Sequence, residues 1–92
     1  MRVEMHRTAI RDLVAQHNAS APRIIGSVAR GEDELGSDLD LLVEFTDEAT
    51  LLDEIGLRLA LRDLLRIEVD VVAADSVRGE MRDRMLRESV PV

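Results

Sequence analysis

The sequence predicts an α+β fold in one small domain, with elements in the order α-β-α-β-α-β-α. Apolar residues recur at helical spacing in three stretches, short aliphatic runs rich in β-branched residues lie between them, and Gly, Ser, Pro and acidic clusters mark the junctions. A chain of 92 residues supports a single core, because a domain of this size buries roughly 60 to 65% of the surface its unfolded chain exposes. No repeat, low-complexity segment or linker interrupts it, so residues 1–92 are expected to form one domain.

From about Arg2 to His17, Val3, Ile10, Leu13 and Val14 fall near helical spacing and predict an amphipathic helix, which Asn18-Ala19-Ser20-Ala21-Pro22 ends. Arg23-Ile24-Ile25 reads as a first buried strand, stopped by Gly26. Ser27-Val28-Ala29-Arg30 fits a single helical turn capped by Ser27, followed by an acidic loop between Gly31 and Gly36. Asp38 to Phe45 is the second strand, and its Leu41-Leu42-Val43 centre predicts burial on both faces.

Thr46 is the expected N-cap of the next helix, with Asp47 and Glu48 in a first turn where the macrodipole favours acids. Leu51, Leu52, Ile55 and Leu59 form one stripe, extended by Leu57, Leu61, Leu64 and Leu65, and this helix is expected to cover the core. Ile67 to Ala73 is the third strand, with Asp70 in its centre. Ser76 is expected to cap a last helix running to about Glu88, with Met81, Met85 and Leu86 inward and Arg78, Arg82, Arg84 and Arg87 outward. Ser89-Val90-Pro91-Val92 reads as an extended tail.

Composition excludes several function classes. The apolar fraction of 46% is almost wholly aliphatic, and Phe45 is the only aromatic residue, so a base-stacking platform for nucleic acid is absent. Net charge is −7, from 19 acidic against 12 basic residues, and phosphate-backbone binding depends on neutralising cations. Direct nucleic-acid or anionic-membrane binding is therefore not expected, and a basic protein or a metal-chelated nucleotide fits better. Without cysteine there is no disulfide framework, thiolate nucleophile or Cys-based zinc site. The charged start Met1-Arg2-Val3-Glu4-Met5-His6 has no apolar signal region, and no stretch approaches the roughly 20 apolar residues of a membrane span. A cytoplasmic protein is expected.

The chemistry lies between Gly26 and Asp70. Asp38 and Asp40 are spaced i, i+2 at the start of the second strand, and that spacing points both side chains to one face. In the third strand Asp70 points opposite to Val69 and Val71. If the two strands are neighbours, three carboxylates converge, and their repulsion calls for a divalent cation. Mg²⁺ prefers oxygen ligands and usually takes one or two carboxylates beside substrate phosphates. Upstream, Gly26 permits close backbone approach to a phosphate. Amides at the start of a helical turn, with the Ser27 hydroxyl, form an anion cradle. Phosphates on one side and carboxylates on the other favour in-line displacement at phosphorus with two metals, one activating a hydroxyl and one stabilising the leaving pyrophosphate.

Each part also has a plainer reading. Asp-x-Asp is a common solvated turn, and Gly-Ser punctuates loops. Asp70 fits an edge position in water or a pair with Arg23. Arg30 reaches either a phosphate or the surface acids Glu32 and Glu34, a pairing worth little. His6 and His17 are expected to face solvent. The C-terminal arginine stripe is either a solvated face or a partner-binding surface.

Taken together, Gly26-Ser27-x-Ala29-Arg30-Gly31, Ser37-Asp38-Leu39-Asp40-Leu41 and Glu68-Val69-Asp70-Val71-Val72 resemble the minimal nucleotidyltransferases of the DNA polymerase β superfamily. The closing Met85-Leu86-Arg87-Glu88-Ser89-Val90-Pro91 also resembles the end of these short proteins, so the likeness runs from about residue 23 to 92. The resemblance implies the nucleotidyltransferase fold, a small mixed β-sheet flanked by helices. It implies ATP or another NTP as donor, bound through Gly26, Ser27 and Arg30, and Mg²⁺ held by the catalytic residues Asp38, Asp40 and Asp70. Val28 stands where many relatives carry Arg, which removes a phosphate-side contact.

Members of this size are implied to be antitoxins encoded beside a HEPN-domain ribonuclease toxin, which they silence by transferring AMP to a tyrosine. With no second domain expected, acceptor recognition falls to the partner, in a hetero-oligomer. A binding module that neutralises its partner by stable association is the second reading. A transferase acting on a small molecule or an RNA end is the third, and the acidic charge lowers it.

Overall fold

A computed structural model describes residues 2–25 and 39–92. Gly26, Ser27, Arg30 and Asp38, with the expected helical turn and acidic loop, lie outside the described residues. The aliphatic runs form a four-stranded mixed sheet ordered β3-β2-β1-β4. Its strands are β1 (Ala19–Ile25), β2 (Leu39–Phe45), β3 (Val69–Ala73) and β4 (Val90–Pro91). β1 runs antiparallel to both β2 and β4, whereas β2 and β3 are parallel. A parallel pair needs a crossover connection, usually helical, and α3 (Leu51–Leu65) supplies it.

One strand expectation is corrected. β1 begins at Ala19 rather than Arg23, so residues expected to end the first helix belong to the sheet. A bulge between Ser20 and Arg23, with Ala21 at the left-handed φ of 52°, absorbs the irregularity and accommodates Pro22. The extended tail at the C-terminus joins the sheet as an edge strand. Val90 and Pro91 pair with Ile24 and Arg23, Val92 donates its N–H to the Pro22 carbonyl at 3.0 Å, and Arg11 Nε donates to the Val92 carbonyl at 2.8 Å. Burial of Val92 against the core gives this strand its anchor and covers part of an otherwise open sheet edge.

Helices and sheet pack as three layers. α1 (Arg2–Met5) and α2 (Arg7–Gln16) replace the expected single helix, with the break at His6. Val3, Ile10 and Val14 pack with α3 residues Leu57, Leu61 and Leu65 on one face of the sheet, against Ile24, Leu39, Leu41, Val43 and Val69. On the other face, Met85 and Leu86 of α4 (Gly79–Glu88) cover Ile25, Leu42 and Ala74. Leu41, Leu42 and Val43 are all buried, as the continuous apolar run predicts.

Asn18, at φ 57°, closes α2 in the left-handed conformation that Asn tolerates well. His17 is not a solvent-facing residue: its Nδ1 lies 2.7 Å from the Leu13 carbonyl, and its ring lies against Gly56 of α3. A β-carbon on Gly56 would come within 3.2 Å of that ring, so glycine permits the two helices to approach.

α3 starts later than expected. Thr46 is not its cap, because the helix begins at Leu51 and Thr46 instead closes a turn, its carbonyl accepting from the Ala49 N–H at 3.0 Å. Thr50 caps instead, in a reciprocal box: Thr50 Oγ1 accepts from the Asp53 N–H at 3.4 Å and Asp53 Oδ2 accepts from the Thr50 N–H at 3.0 Å. Asn18 Nδ2 also donates to Asp53 Oδ2 at 3.1 Å, which ties the cap to the end of α2.

The stripe on α3 is corrected too. Leu57, Leu61 and Leu65 are 0%, 0% and 1% exposed, whereas Leu51 and Leu52 are 70% and 79% exposed, with Ile55 and Leu59 also outward. At about 100° per residue, the series 51, 55, 59 lies roughly a third of a turn from 57, 61, 65, and only the latter meets the sheet. Near the C-terminus, Ser76 belongs to a 3₁₀ turn (Ala74–Ser76), where its hydroxyl donates to the Ala73 carbonyl at 2.6 Å, and Arg78 takes the N-cap of α4. Met81, expected inward, is 67% exposed.

Two predictions follow from this packing. Leu61→Ala should cost about 2 to 5 kcal/mol, the usual range for a buried Leu truncation. Leu52→Ala should change stability by less than about 0.5 kcal/mol; urea denaturation checks both. Hydrogen bonds from the Thr50 backbone and then the Asn18 side chain, with the nearby His17, hold the Asp53 carboxyl below its ordinary value of 3.8. Its contribution is therefore fully present above about pH 4 and is lost as pH falls through the lowered folded value. Asp53→Asn should be less stable than wild type at neutral pH and lose less on acidification, read from thermal melts between pH 7 and 3.

Candidate active site

β2 and β3 pair in parallel with Leu39 opposite Val69, Asp40 opposite Asp70 and Leu41 opposite Val71. Because side chains alternate along a strand, burying Leu39, Leu41 and Val69 on the α2–α3 side, with Val71 packed against them, turns Asp40 and Asp70 together onto the opposite face. Neighbouring strands lie about 4.8 Å apart, so the two carboxylates are immediate neighbours. The convergence expected from the spacing is thus realised for Asp40 and Asp70.

Asp40 is half-buried on the central strand β2, and Asp70 is exposed on β3, an edge strand. The exposed edge position is the plainer reading of Asp70, and it holds alongside the pairing with Asp40. The alternative partner for Asp70, Arg23, is engaged elsewhere: its Nε donates to the buried Ser89 Oγ, which in turn donates to the Leu86 carbonyl at 2.8 Å.

On the other side of β2, Ile25 stands opposite Asp40. The segment 26–38 leaves the described chain at Ile25 and rejoins it at Leu39, so both of its attachment points flank Asp40. Gly26 and Ser27 follow one attachment point in sequence, and Asp38 precedes the other. Among the described residues, no group of three His, Cys, Asp or Glu side chains is placed to hold a metal. Asp40 and Asp70 offer adjacent hard oxygen donors, and their mutual repulsion is relieved by a divalent cation such as Mg²⁺, so the donor set present fits that ion.

The same sheet face carries a feature the sequence did not reveal. A recess of about 150 Å³ lies between β1, β2 and α4, and Arg23, Glu44 and Arg82 are among its lining residues. Arg82 reads from sequence as one of an outward arginine stripe; α4 lies across the sheet and brings it to this recess. The only advance signal is the i, i+4 spacing of Arg82 with Leu86, a residue expected inward. Among the described residues, no helix is long and apolar enough to cross a membrane.

Sequence and fold comparisons identify the family. The family model described as a nucleotidyltransferase domain matches residues 4–90. A Methanocaldococcus jannaschii protein named as a candidate protein adenylyltransferase is 36% identical over 92 residues, spanning 100% of this chain and 99% of that protein. A solved structure named as a candidate minimal nucleotidyltransferase superposes with a TM-score of 0.89 at 44% identity, covering 98% of this chain and 92% of that one. A toxin–antitoxin structure with AMP-PNP superposes with a TM-score of 0.76 over 91% of this chain and 69% of that one. At 20% identity, that last likeness shows a shared fold. The chain belongs to the nucleotidyltransferase domain family, with the small mixed sheet flanked by helices that the resemblance implies.

Like charges directly opposite on neighbouring strands destabilise a sheet by a few tenths to about 1 kcal/mol. Without divalent ions, Asp70→Asn should raise the melting temperature by a few degrees at low salt, and the gain should shrink at high ionic strength as screening weakens the repulsion. Calorimetric melts at two salt concentrations check this.

Proposed function

We propose that residues 1–92 act as a single-domain, Mg²⁺-dependent protein adenylyltransferase. In this reading the protein is a cytoplasmic antitoxin that transfers AMP from ATP to a tyrosine hydroxyl of a HEPN ribonuclease toxin. The observation that carries the proposal is the in-register placement of Asp40 beside Asp70, with both attachment points of the Gly26-to-Asp38 segment next to it. Family membership supports nucleotidyl transfer. The adenylyltransferase name of a full-length relative and the toxin–antitoxin fold neighbour with AMP-PNP support the donor and the class of acceptor.

In this reading Gly26, Ser27 and Arg30 hold the triphosphate, and Asp38, Asp40 and Asp70 form the carboxylate side of the site. Mg²⁺, when bound, neutralises these carboxylates and offsets charge on the phosphates. The acceptor hydroxyl gives up its proton to the Asp70 carboxylate as its oxygen attacks the α-phosphorus, the bond from that phosphorus to the α,β-bridging oxygen breaks, and pyrophosphate leaves with its electron pair. Asp70, on the exposed edge strand, is the carboxylate that a hydroxyl on another protein reaches, and it orients that hydroxyl in line. The half-buried Asp40 serves the nucleotide side. With one aromatic residue in the chain and a net charge of −7, a protein acceptor fits better than a nucleic acid.

Incubating the chain with the HEPN protein encoded beside it, ATP and Mg²⁺ should add the mass of AMP to the HEPN protein in intact-mass spectra. Asp38→Ala, Asp40→Asn or chelation of Mg²⁺ should reduce the rate about a hundredfold or more. An unmodified partner after prolonged incubation with wild type would refute the transferase reading.

A further inference from the structure

α3 presents two aliphatic faces, and the sheet uses one. Leu57, Leu61 and Leu65 are buried, whereas Leu51, Leu52, Ile55 and Leu59 are 70%, 79%, 39% and 37% exposed on the outer side. Leu51, Ile55 and Leu59 follow i, i+4 and i+8 spacing and form a ridge about two turns long, which Leu52 widens. Isolated exposed aliphatics are ordinary, but a contiguous ridge on one helix marks an interaction surface.

The ridge is self-complementary about its middle residue. Leu51 and Leu59 lie four residues to either side of Ile55, and the exposed Glu48 and Arg62 lie seven residues to either side, Glu48 in the turn before the helix. A two-fold axis at Ile55 therefore sets a second copy of α3 antiparallel on the first, with Ile55 on Ile55, Leu51 on Leu59 and Glu48 on Arg62. Symmetry makes the last two contacts twice. A parallel copy would oppose Glu48 to Glu48 and Arg62 to Arg62.

The macrodipole by itself favours acids at the start of a helix and bases at its end. It gives no reason for aliphatic side chains to stand in water between them. Asp63 lies 3.9 Å from Arg62, but both side chains are solvent-exposed, at 47% and 78%, and such a pair is weak. Little is lost when Arg62 turns to Glu48 of a second copy.

We propose that the outer face of α3 is a homodimer interface, in which two copies of this chain pack antiparallel about Ile55. A second copy carries the complementary order of charge and aliphatic side chains by construction, whereas another protein would have to supply it independently. The interface does not depend on the transferase reading above.

Position gives the interface its consequence. α3 packs on the sheet face carrying Leu39, Leu41 and Val43, and Asp40 and Asp70 project from the opposite face. The dimer holds both copies of α3 at its centre and carries the two carboxylate pairs on its outer sides, facing away from each other. Each copy keeps its own pair open to a protein acceptor, so dimerisation neither completes nor blocks the site.

Light scattering and sedimentation equilibrium of the purified chain, without nucleotide, test the interface. Wild type should show twice the chain mass. Ile55→Glu sets two like charges on the axis and should raise the dissociation constant at least about tenfold, with an unchanged circular dichroism spectrum to verify folding. Glu48→Arg and Arg62→Glu, both at exposed positions, should each weaken self-association. An equimolar mixture of these two variants should dimerise again, because the mixed pair restores opposite charges at both ends of the ridge. A wild type that stays monomeric up to about millimolar concentration, or unchanged association in Ile55→Glu, overturns the interface. Failure of the mixture to recover the dimer overturns the antiparallel pairing. A monomeric wild type that binds a HEPN protein, with that binding lost in Ile55→Glu, assigns the face to a partner protein and overturns the second copy. A folded Ile55→Glu that loses AMP transfer overturns the independence of site and interface. Should wild type dimerise through α3 yet transfer no AMP, the transferase reading fails and the interface stands.

Discussion

The parallel register of β2 and β3 is the constraint on which the rest of the structure depends. It is fixed by burial: Leu39, Leu41, Val43 and Val69 have to face α2 and α3, and a slip of one residue would turn them to the other face. The same register sets Asp40 against Asp70. The free energy that holds the carboxylates together thus comes from these aliphatic side chains of β2 and β3, each worth about 1.5 to 3 kcal/mol when fully buried. The electrostatic cost of the pair, a few tenths to about 1 kcal/mol, is small by comparison. A site that repels itself is stable because the sheet beneath it leaves no cheaper arrangement.

The two faces of the sheet divide the work. One carries the larger core, in which α2 and α3 interlock through His17 and Gly56 and through the Thr50–Asp53 cap with Asn18. The other carries a thinner core under α4, the two described carboxylates and the recess lined in part by Arg23 and Arg82. Concentrating apolar burial on one side leaves the other free to hold charge. It also leaves the outward side of α3, farthest from the carboxylates, as the place where exposed aliphatic surface collects.

Much of this was legible in the sequence because it rests on local periodicity. The run Leu41-Leu42-Val43 declared a strand buried on both faces, and the valines flanking Asp70 declared which way that carboxylate points. What escaped depended on contacts distant in sequence. Ala19 to Pro22 look like a helix end, and they become strand because a bulge at Ala21 lets them pair. Ser89 to Val92 have little strand character of their own, yet the open edge of β1 and the Arg11 bond to Val92 recruit them. The sequence places the cap of α3 at Thr46, ahead of Asp47 and Glu48, whereas the box completed by Asp53 puts it at Thr50. The wide apolar stripe of α3 could not be divided into buried and exposed halves without knowing how much of it the sheet covers. At the site, Asp40 and Asp70 came from spacing alone, whereas the Arg82 recess required α4 to be laid across the sheet.

As proposed, the register-matched carboxylates form the cation side of a nucleotide site. Electron paramagnetic resonance of Mn²⁺ titrated into the protein with a non-hydrolysable ATP analogue tests it most directly, comparing wild type with Asp40→Asn and Asp70→Asn. Nucleotide-dependent Mn²⁺ binding in wild type, weakened at least about tenfold by either substitution, is the expected result. Mn²⁺ binding of equal strength in all three proteins would show that the Asp40–Asp70 pair has no part in holding the metal.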